Sequence, residues 1–370
     1  MVLHVEPRFR FFGNGDIDPS DVALSGIVIS LPGRDDCDFG IPCWIMAVTN
    51  TGGGPRWLTA RGPRCPSPFA LPDRKLLMPT TGTISAIIPT HGRDSLLEVA
   101  LKSVLTQTRS PHEVVVVDDL GSTSTRHTVE RIAGGTPIPV AYLDGFANEP
   151  KSAGASRNLG AASITGDYLA FLDDDDYWSP RFLEVAFDAL TREGHDFIVG
   201  WTNFERDGRT APGLAMPAGL TIRKGLSRSG LTGSNALIKR STFDRIDGFD
   251  PSLRVLNDFD FLRRLLIAGC NYGVLQERLV TQVSHDLGHL STRSLPRAEI
   301  IKIYLAQNLR GLSKGDRRHL NRLMHASARG ADQTPLGRVA HGVAQAAHTT
   351  PAEYLAGLLR RIRTGPGMYH

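Results

Sequence analysis

Between residues 84 and 200 the sequence alternates short apolar runs with stretches of helical periodicity. That alternation constrains the fold more than any other feature. Ile84–Pro89, Glu113–Val117, Pro139–Tyr142, Gly166–Leu172 and Asp196–Gly200 read as strands. Between them, Ser95–Thr106 has Leu96, Leu97, Ala100, Leu101 and Val104 at helical spacing. Thr123–Ile132, Ser156–Ile164 and Pro180–Thr191 are further helices. The strand runs are almost continuously apolar, as strands buried on both faces must be. The pattern predicts an α/β fold, a mostly parallel sheet with helices on both faces. Ligands of such sheets bind outside the carboxyl ends of the strands. Two acidic segments fall at those ends, Asp118-Asp119 and Asp173–Asp176.

Composition narrows the class. The 370 residues are 41% hydrophobic and 22% charged, a globular balance. No run approaches the ~20 apolar residues of a membrane span. The start, MVLHVEPRFRFFGNG, has no uninterrupted apolar stretch of the kind a secretory signal needs. Cys37, Cys43, Cys65 and Cys270 form no C-x-x-C pair, which argues against a zinc ribbon or a disulfide scaffold. The expected location is therefore cytoplasmic.

Charge and texture divide the chain in three. Residues 1–77 are net neutral and broken by Gly and Pro every few positions, with strand-like content only at Val22–Leu31 and Ile41–Val48. They read as a loosely ordered extension, with Met78 an alternative start, or as a small accessory module. Residues 78–295 are net −4 and hold the alternating core. Residues 296–370 are net +8 and helical in pattern, a basic extension suited to a solvated face or to peripheral contact with an anionic surface.

Four consecutive carboxylates, Asp173 to Asp176, repel one another. A divalent cation with a preference for hard oxygen ligands, Mn²⁺ or Mg²⁺, would relieve that repulsion. On extended backbone Asp173 and Asp175 face one way and Asp174 and Asp176 the other. An acidic turn or helix cap explains the same residues without a metal. Asp118 and Asp119, after Val114–Val117, suit hydrogen bonds from a base or ribose, or alternatively a capped turn. Gly154-Ala155-Ser156-Arg157-Asn158-Leu159-Gly160 permits close backbone approach to a ligand, with Arg157 available to a phosphate or an aspartate. It is neither a Walker loop nor a dinucleotide fingerprint. Asp258 opens an apolar helix over about Asp258–Ala268, as a cap or as a cleft carboxylate.

In order and spacing these segments resemble the inverting family 2 glycosyltransferases of the GT-A fold. The resemblance runs from about Thr83 to Ser291. It rests on Ser85–Thr90, Ser103–Thr108, Val117-Asp118-Asp119, Ser156–Gly160, Phe171–Asp176, and Gly248-Phe249-Asp250 before Asn257-Asp258. It implies a nucleotide-sugar donor, with a UDP-sugar the default. Thr90, Asp118, Asp119, Arg157, Asp173 and Asp174 would then line the nucleotide pocket. Asp175 would hold the metal, His285 would add to it, and His289 is an alternative. Asp258 would be the catalytic base. Two residues depart from the family pattern. Asn257 stands where Glu usually precedes the base, and Val283 stands where an Arg often lies two residues before the His.

The implied reaction is a single metal-assisted displacement with inversion at the anomeric carbon. An Asp at its ordinary pKa of ~3.9 is a weak base for it. The acceptor stays open among glycan, lipid carrier, peptide and small metabolite, and no nucleic-acid partner is expected. The alternatives are a nucleotidyltransferase that makes sugar nucleotides, for which Thr90-His91-Gly92-Arg93 is a poor triphosphate loop, and a non-catalytic nucleotide- or sugar-binding member of the fold.

Overall fold

A computed structural model describes residues 48–49, 56–57, 82–147, 152–227, 229–285, 294–351 and 354. Val22–Leu31 and His289 lie outside them, as does all of Ile41–Val48 but Val48. The chain divides into two units, Met1–Leu76 and Leu77–His370. In the first, β1 (Val48–Thr49) pairs antiparallel with β2 (Arg56–Trp57).

The second unit runs β3 (Ile84–Thr90), α1 (Asp94–Leu105), β4 (Glu113–Asp118), α2 (Thr123–Ala133), β5 (Val140–Asp144), α3 (Ala153–Ser163) and β6 (Tyr168–Phe171). It continues with β7 (Asp176–Trp178), α4 (Phe182–Glu193), β8 (Phe197–Arg206), β9 (Arg209–Pro212), β10 (Ala236–Lys239), α5 (Arg240–Arg245), α6 (Asn257–Ile267) and β11 (Tyr272–Ser284). Three helices close it: α7 (Leu295–Asn308), α8 (Lys314–Ala331) and α9 (Pro335–Ala347).

The strand order is β5-β4-β3-β6-β10-β8-β11-β7, with β9 on β8. The expected parallel sheet holds from β5 to β6. Beyond β6 the sheet is mixed, because β10 runs antiparallel to both β6 and β8. A parallel neighbour needs a long crossover, usually a helix. The short turn from β8 makes β9 antiparallel to it, and β10 keeps the sense of β9, so it too runs antiparallel to β8.

The alternation along β3 builds two cores. Ile84, Ala86 and Ile88 pack with α1, α2 and α4. Ile87, on the opposite face, packs with Val115, Val117 and Ala161 of α3 and with Phe261, Leu262 and Leu265 of α6. Leu101 is fully buried in the first core. Truncating it to alanine would cost about 2–5 kcal/mol.

Among the described strands β2, β7, β9, β10 and β11 escaped the sequence reading, and β7 and β11 bear on the site. The four aspartates do not end the structure but lead directly into β7. β11 is one thirteen-residue strand, irregular around Arg278, that pairs with β8 on one side and β7 on the other. Its alternation is blurred by Gln276-Glu277-Arg278, so neither period is visible there. The basic extension is not a separate body. Ile301, Tyr304, Leu305, Leu312 and Leu320 form a third core, packed with Leu253, Val255 and Leu256 just before α6. Asp316 on α8 is buried and accepts from the Leu226 and Ser227 N–H groups, at 2.5 and 3.0 Å.

Candidate functional site

β3, β4 and β6 end at one edge of the sheet. The order reverses at β3, since β4 and β5 lie to one side and β6 to the other. A crevice at such a reversal is where open α/β sheets bind ligands.

The Asp173–Asp176 segment leaves β6 in a turn, closed by the Asp176 N–H on the Asp173 carbonyl at 3.1 Å, so the alternation expected of extended backbone is not kept and Asp176 joins Asp173 and Asp175. Asp173 and Asp175 are partly accessible, while Asp174 and Asp176 are buried. Oxygens of Asp173, Asp175 and Asp176 lie within 4.8 Å of one another. Asp176 is anchored from two sides, accepting from Ser234 Oγ at 2.5 Å and from the Val283 N–H at 3.2 Å. Burial, and then Asp175 and Asp173 beside it, push its pKa well above the carboxylate range. The register of β7 on β11 sets Gln282 opposite Asp176. Three residues further on, His285 Nε2 stands 3.0 Å from Asp175 Oδ2. Val283 thus contributes through its backbone, where the family pattern has an arginine side chain.

A cation comes instead from a residue the sequence reading did not single out. Arg93, just before α1, is bonded to both oxygens of Asp174, and its Nη1 lies 3.1 Å from Asp175 Oδ2. Thr90 Oγ1 donates to Asp174 at 2.6 Å. Asp174 has no exposed surface, and burial pushes its pKa up to about 6 against the opposing pull of Arg93. It sits beneath the cleft and orients Arg93. A basic residue between a strand end and a helix start was the available signal.

Asp118 is also fully buried. It accepts from the Leu120 and Ser122 N–H groups and from Tyr142 Oη, and so shapes the loop after β4. Asp119 reaches outward and lies 2.5 Å from His91 Nδ1.

The opposite wall is built around Arg157, 3% exposed on α3. Its Nη2 bonds Asp173 Oδ1 at 2.5 Å, and its Nη1 stands 3.9 Å from Asp258 Oδ1. Gly233 lies against this pair. A Cβ there would collide with the guanidinium and stand 2.7 Å from Asp173 Oδ2. The Asp258 side chain is 38% exposed as a whole, yet its Oδ1 is closed to solvent. Burial raises its pKa to about 6, while Arg157 and the Gly233 N–H pull it down. The expectation of an ordinary, weakly basic aspartate is corrected by this surrounding. Among the described residues, Arg157 Nε, Asn257 Oδ1 and Asp258 Oδ1 are buried with no hydrogen-bond partner. Buried polar atoms are nearly always paired, so three around one wall mark a place where a ligand can supply the partners.

The class defined by this sheet is the GT-A type of α/β fold. Over 66% of this chain and 70% of the other, it superposes on S. aureus TarS crystallised with UDP-GlcNAc, at a TM-score of 0.51 and 19% identity. That likeness concerns the fold. Sequence points the same way: residues 85–249 match the profile described as "Glycosyl transferase family 2". A Haemophilus influenzae protein described as "Uncharacterized glycosyltransferase" is 31% identical over 50% of this chain and 62% of its own length. The Escherichia coli UDP-Glc:alpha-D-GlcNAc-diphosphoundecaprenol beta-1,3-glucosyltransferase WfgD is 26% identical over 40% of this chain and 56% of its own. A Campylobacter jejuni GalNAc(5)-diNAcBac-PP-undecaprenol beta-1,3-glucosyltransferase is 30% identical over 34% and 40%. The chain spans less than two thirds of the length of each of these curated relatives.

Proposed function

We propose that the protein transfers a sugar from a nucleoside-diphosphate donor, a UDP-sugar, to an acceptor hydroxyl with inversion, and that Asp258 is the base. The observation that carries this reading is Arg157 standing between Asp173 and Asp258, with Asp258 Oδ1 accepting no hydrogen bond and its pKa raised to about 6. A general base works best with a pKa near the working pH. Asp258 accepts the acceptor proton as the new C–O bond forms. Arg157 keeps the carboxylate aimed into the cleft.

The acidic cluster fits a divalent cation. Its ligands are hard oxygens, and its crowded carboxylates carry a repulsion that a cation relieves. Asp175 would hold Mn²⁺ or Mg²⁺, with Asp173, Asp176 and His285 beside it. Such an ion supplies charge neutralisation to the departing diphosphate. Arg93 adds a fixed positive charge at the same end, and Asp119 faces the base and ribose from the β4 loop.

The acceptor reading follows two relatives whose names specify undecaprenol-linked sugars. A hydroxyl of a lipid-linked glycan is the proposed acceptor, reached at the cytoplasmic face of a membrane. Among the described residues no helix is long and apolar enough to cross one. Contact would be peripheral, through α9, whose Leu336, Val339 and Val343 are exposed at helical spacing in the basic extension.

Thermal stabilisation by UDP, GDP and dTDP, each with and without Mn²⁺, tests the donor. A Mn²⁺-dependent rise with UDP alone is expected, because a ligand that binds only the folded state raises the midpoint. No rise with any nucleotide would sink the reading.

A further inference from the structure

We infer that Tyr304, on the basic C-terminal extension, is a positioning residue for the base, acting through Asp260 and helix α6. The inference rests on the assignment of Asp258 above.

Helix α6 begins without the usual support. Leu256 precedes it at φ 67°, ψ 15°, and no side chain caps its first turn. A left-handed leucine is strained by about 1–2 kcal/mol and persists only where its surroundings hold it. The surroundings here are the extension. Leu256 and Phe259 pack against the cluster of Ile301, Tyr304 and Leu305, and the Phe259 and Tyr304 rings meet edge to face at 6.1 Å.

Polar contacts fix the rotation of α6 about its axis. Asp260 is buried. It accepts from Tyr304 Oη at 2.9 Å on one oxygen and from Arg264 Nε at 2.6 Å on the other. Arg264 Nη1 also donates to the Ile246 and Gly248 carbonyls, at 2.7 and 2.5 Å. The following residue, Phe249, exchanges two 2.8 Å bonds with Asn158, the neighbour of Arg157. One network therefore runs from Tyr304 to the residue beside Arg157.

Asp258 and Asp260 are two positions apart, about 200° around the helix. When Asp260 is held inward, Asp258 is held toward the cleft. A rotation of about 20° moves a side-chain tip 5–6 Å from the axis by roughly 2 Å. Misplacement by about 1 Å can cost 10²-fold in rate. The extension is thus part of what aims the base.

Tyr304→Phe is the test, because it keeps the ring and removes only the hydroxyl. Two measurements are made on the full chain: hydrogen exchange at amides 260–263, and steady-state transfer or donor hydrolysis with UDP-sugars and Mn²⁺. The expected result is faster exchange in the first turns of α6 with β3, β4 and β6 unchanged, and kcat reduced at least tenfold. Donor KM and the UDP–Mn²⁺ thermal shift should stay within about twofold. Unchanged exchange at α6 would overturn the inference, as would unchanged kcat. A parallel loss of kcat, nucleotide binding and melting temperature would also overturn it, since that marks a folding role only. If the wild type binds UDP but turns over no donor, the catalytic reading fails, and the exchange data still decide whether Tyr304 pins the helix.

Discussion

The two walls of the cleft are held in different ways. On the wall formed by β3, β4 and β6, functional side chains follow directly from strand ends: Thr90 ends β3, Asp118 ends β4, and Asp173–Asp176 follow β6. The direction of Thr90 and Asp118 is set by the pleat and that of the aspartates by the turn after β6, and the strands beneath are fully buried. The other wall is assembled from irregular pieces. Asp258 opens a helix after a left-handed leucine, Gly233 lies in the approach to β10, and His285 follows a bent strand. Asp207, Asp247 and Leu256, the three described non-glycine residues with positive φ, all lie in this second half of the domain. The contrast teaches that the proposed nucleotide end is fixed by the sheet itself, whereas the proposed base is fixed by packing from outside it.

The sharpest way to break this division is Asp258→Asn. Sugar transfer should fall by about 10²–10⁴-fold, the usual span for a general base. UDP–Mn²⁺ stabilisation should survive, because the altered residue belongs to the other wall. Loss of both together would mean that the walls do not work separately. The reciprocal change, Asp175→Ala, should remove the Mn²⁺-dependent part of nucleotide stabilisation while leaving the fold intact. A thermal-shift titration reads it directly, and an undiminished metal effect would reassign the ion.

The same contrast explains what the sequence reveals. The strands β3, β4 and β6 are visible because buried parallel strands have no other composition available to them. Their acidic ends are visible because charge adjacent to such runs is costly without a purpose. Asp258 is identified only through family resemblance, since an Asp opening an apolar helix equally describes a cap. Arg93 is missed because its role depends on Asp174 turning back beneath it, a contact between residues 81 positions apart. The grip of Tyr304 on Asp260 spans 44 positions and leaves no periodic trace.

Gly233→Ala probes where the two walls meet. The added methyl would displace the guanidinium of Arg157, which bonds one wall and faces the other. A fall of about 10–100-fold in kcat is expected from a displacement near 1 Å. Steady-state kinetics showing a change in donor KM alone would place Arg157 wholly on the nucleotide side. The pH profile sharpens the same question at smaller amplitude. As the proposed base Asp258 acts only when ionised, and burial raises its pKa to about 6. Below that pH, log(kcat/KM) should fall by one for each pH unit. An acidic limb near 4 would show that Asp258 is solvated in the working enzyme.

The smallest effect concerns stability. Asp258 has a folded pKa of about 6, raised above its ordinary value of 3.8 mainly by burial. The folded chain therefore binds this proton more tightly than the unfolded one does. Its favourable contribution is complete below about pH 4 and disappears as the pH rises through 6. At pH 7.5 the charge is held at a cost, although solvent at the exposed edge of the side chain screens much of it, leaving about 1 kcal/mol. Asp258→Asn removes the charge and leaves Arg157 its bond to Asp173. The variant should thus melt about 1–2 °C higher at pH 7.5 and show no gain at pH 4. A variant that melts lower at pH 7.5 would mean that Arg157 depends on both carboxylates, and that the base is held by its ion pair rather than by the packing behind α6.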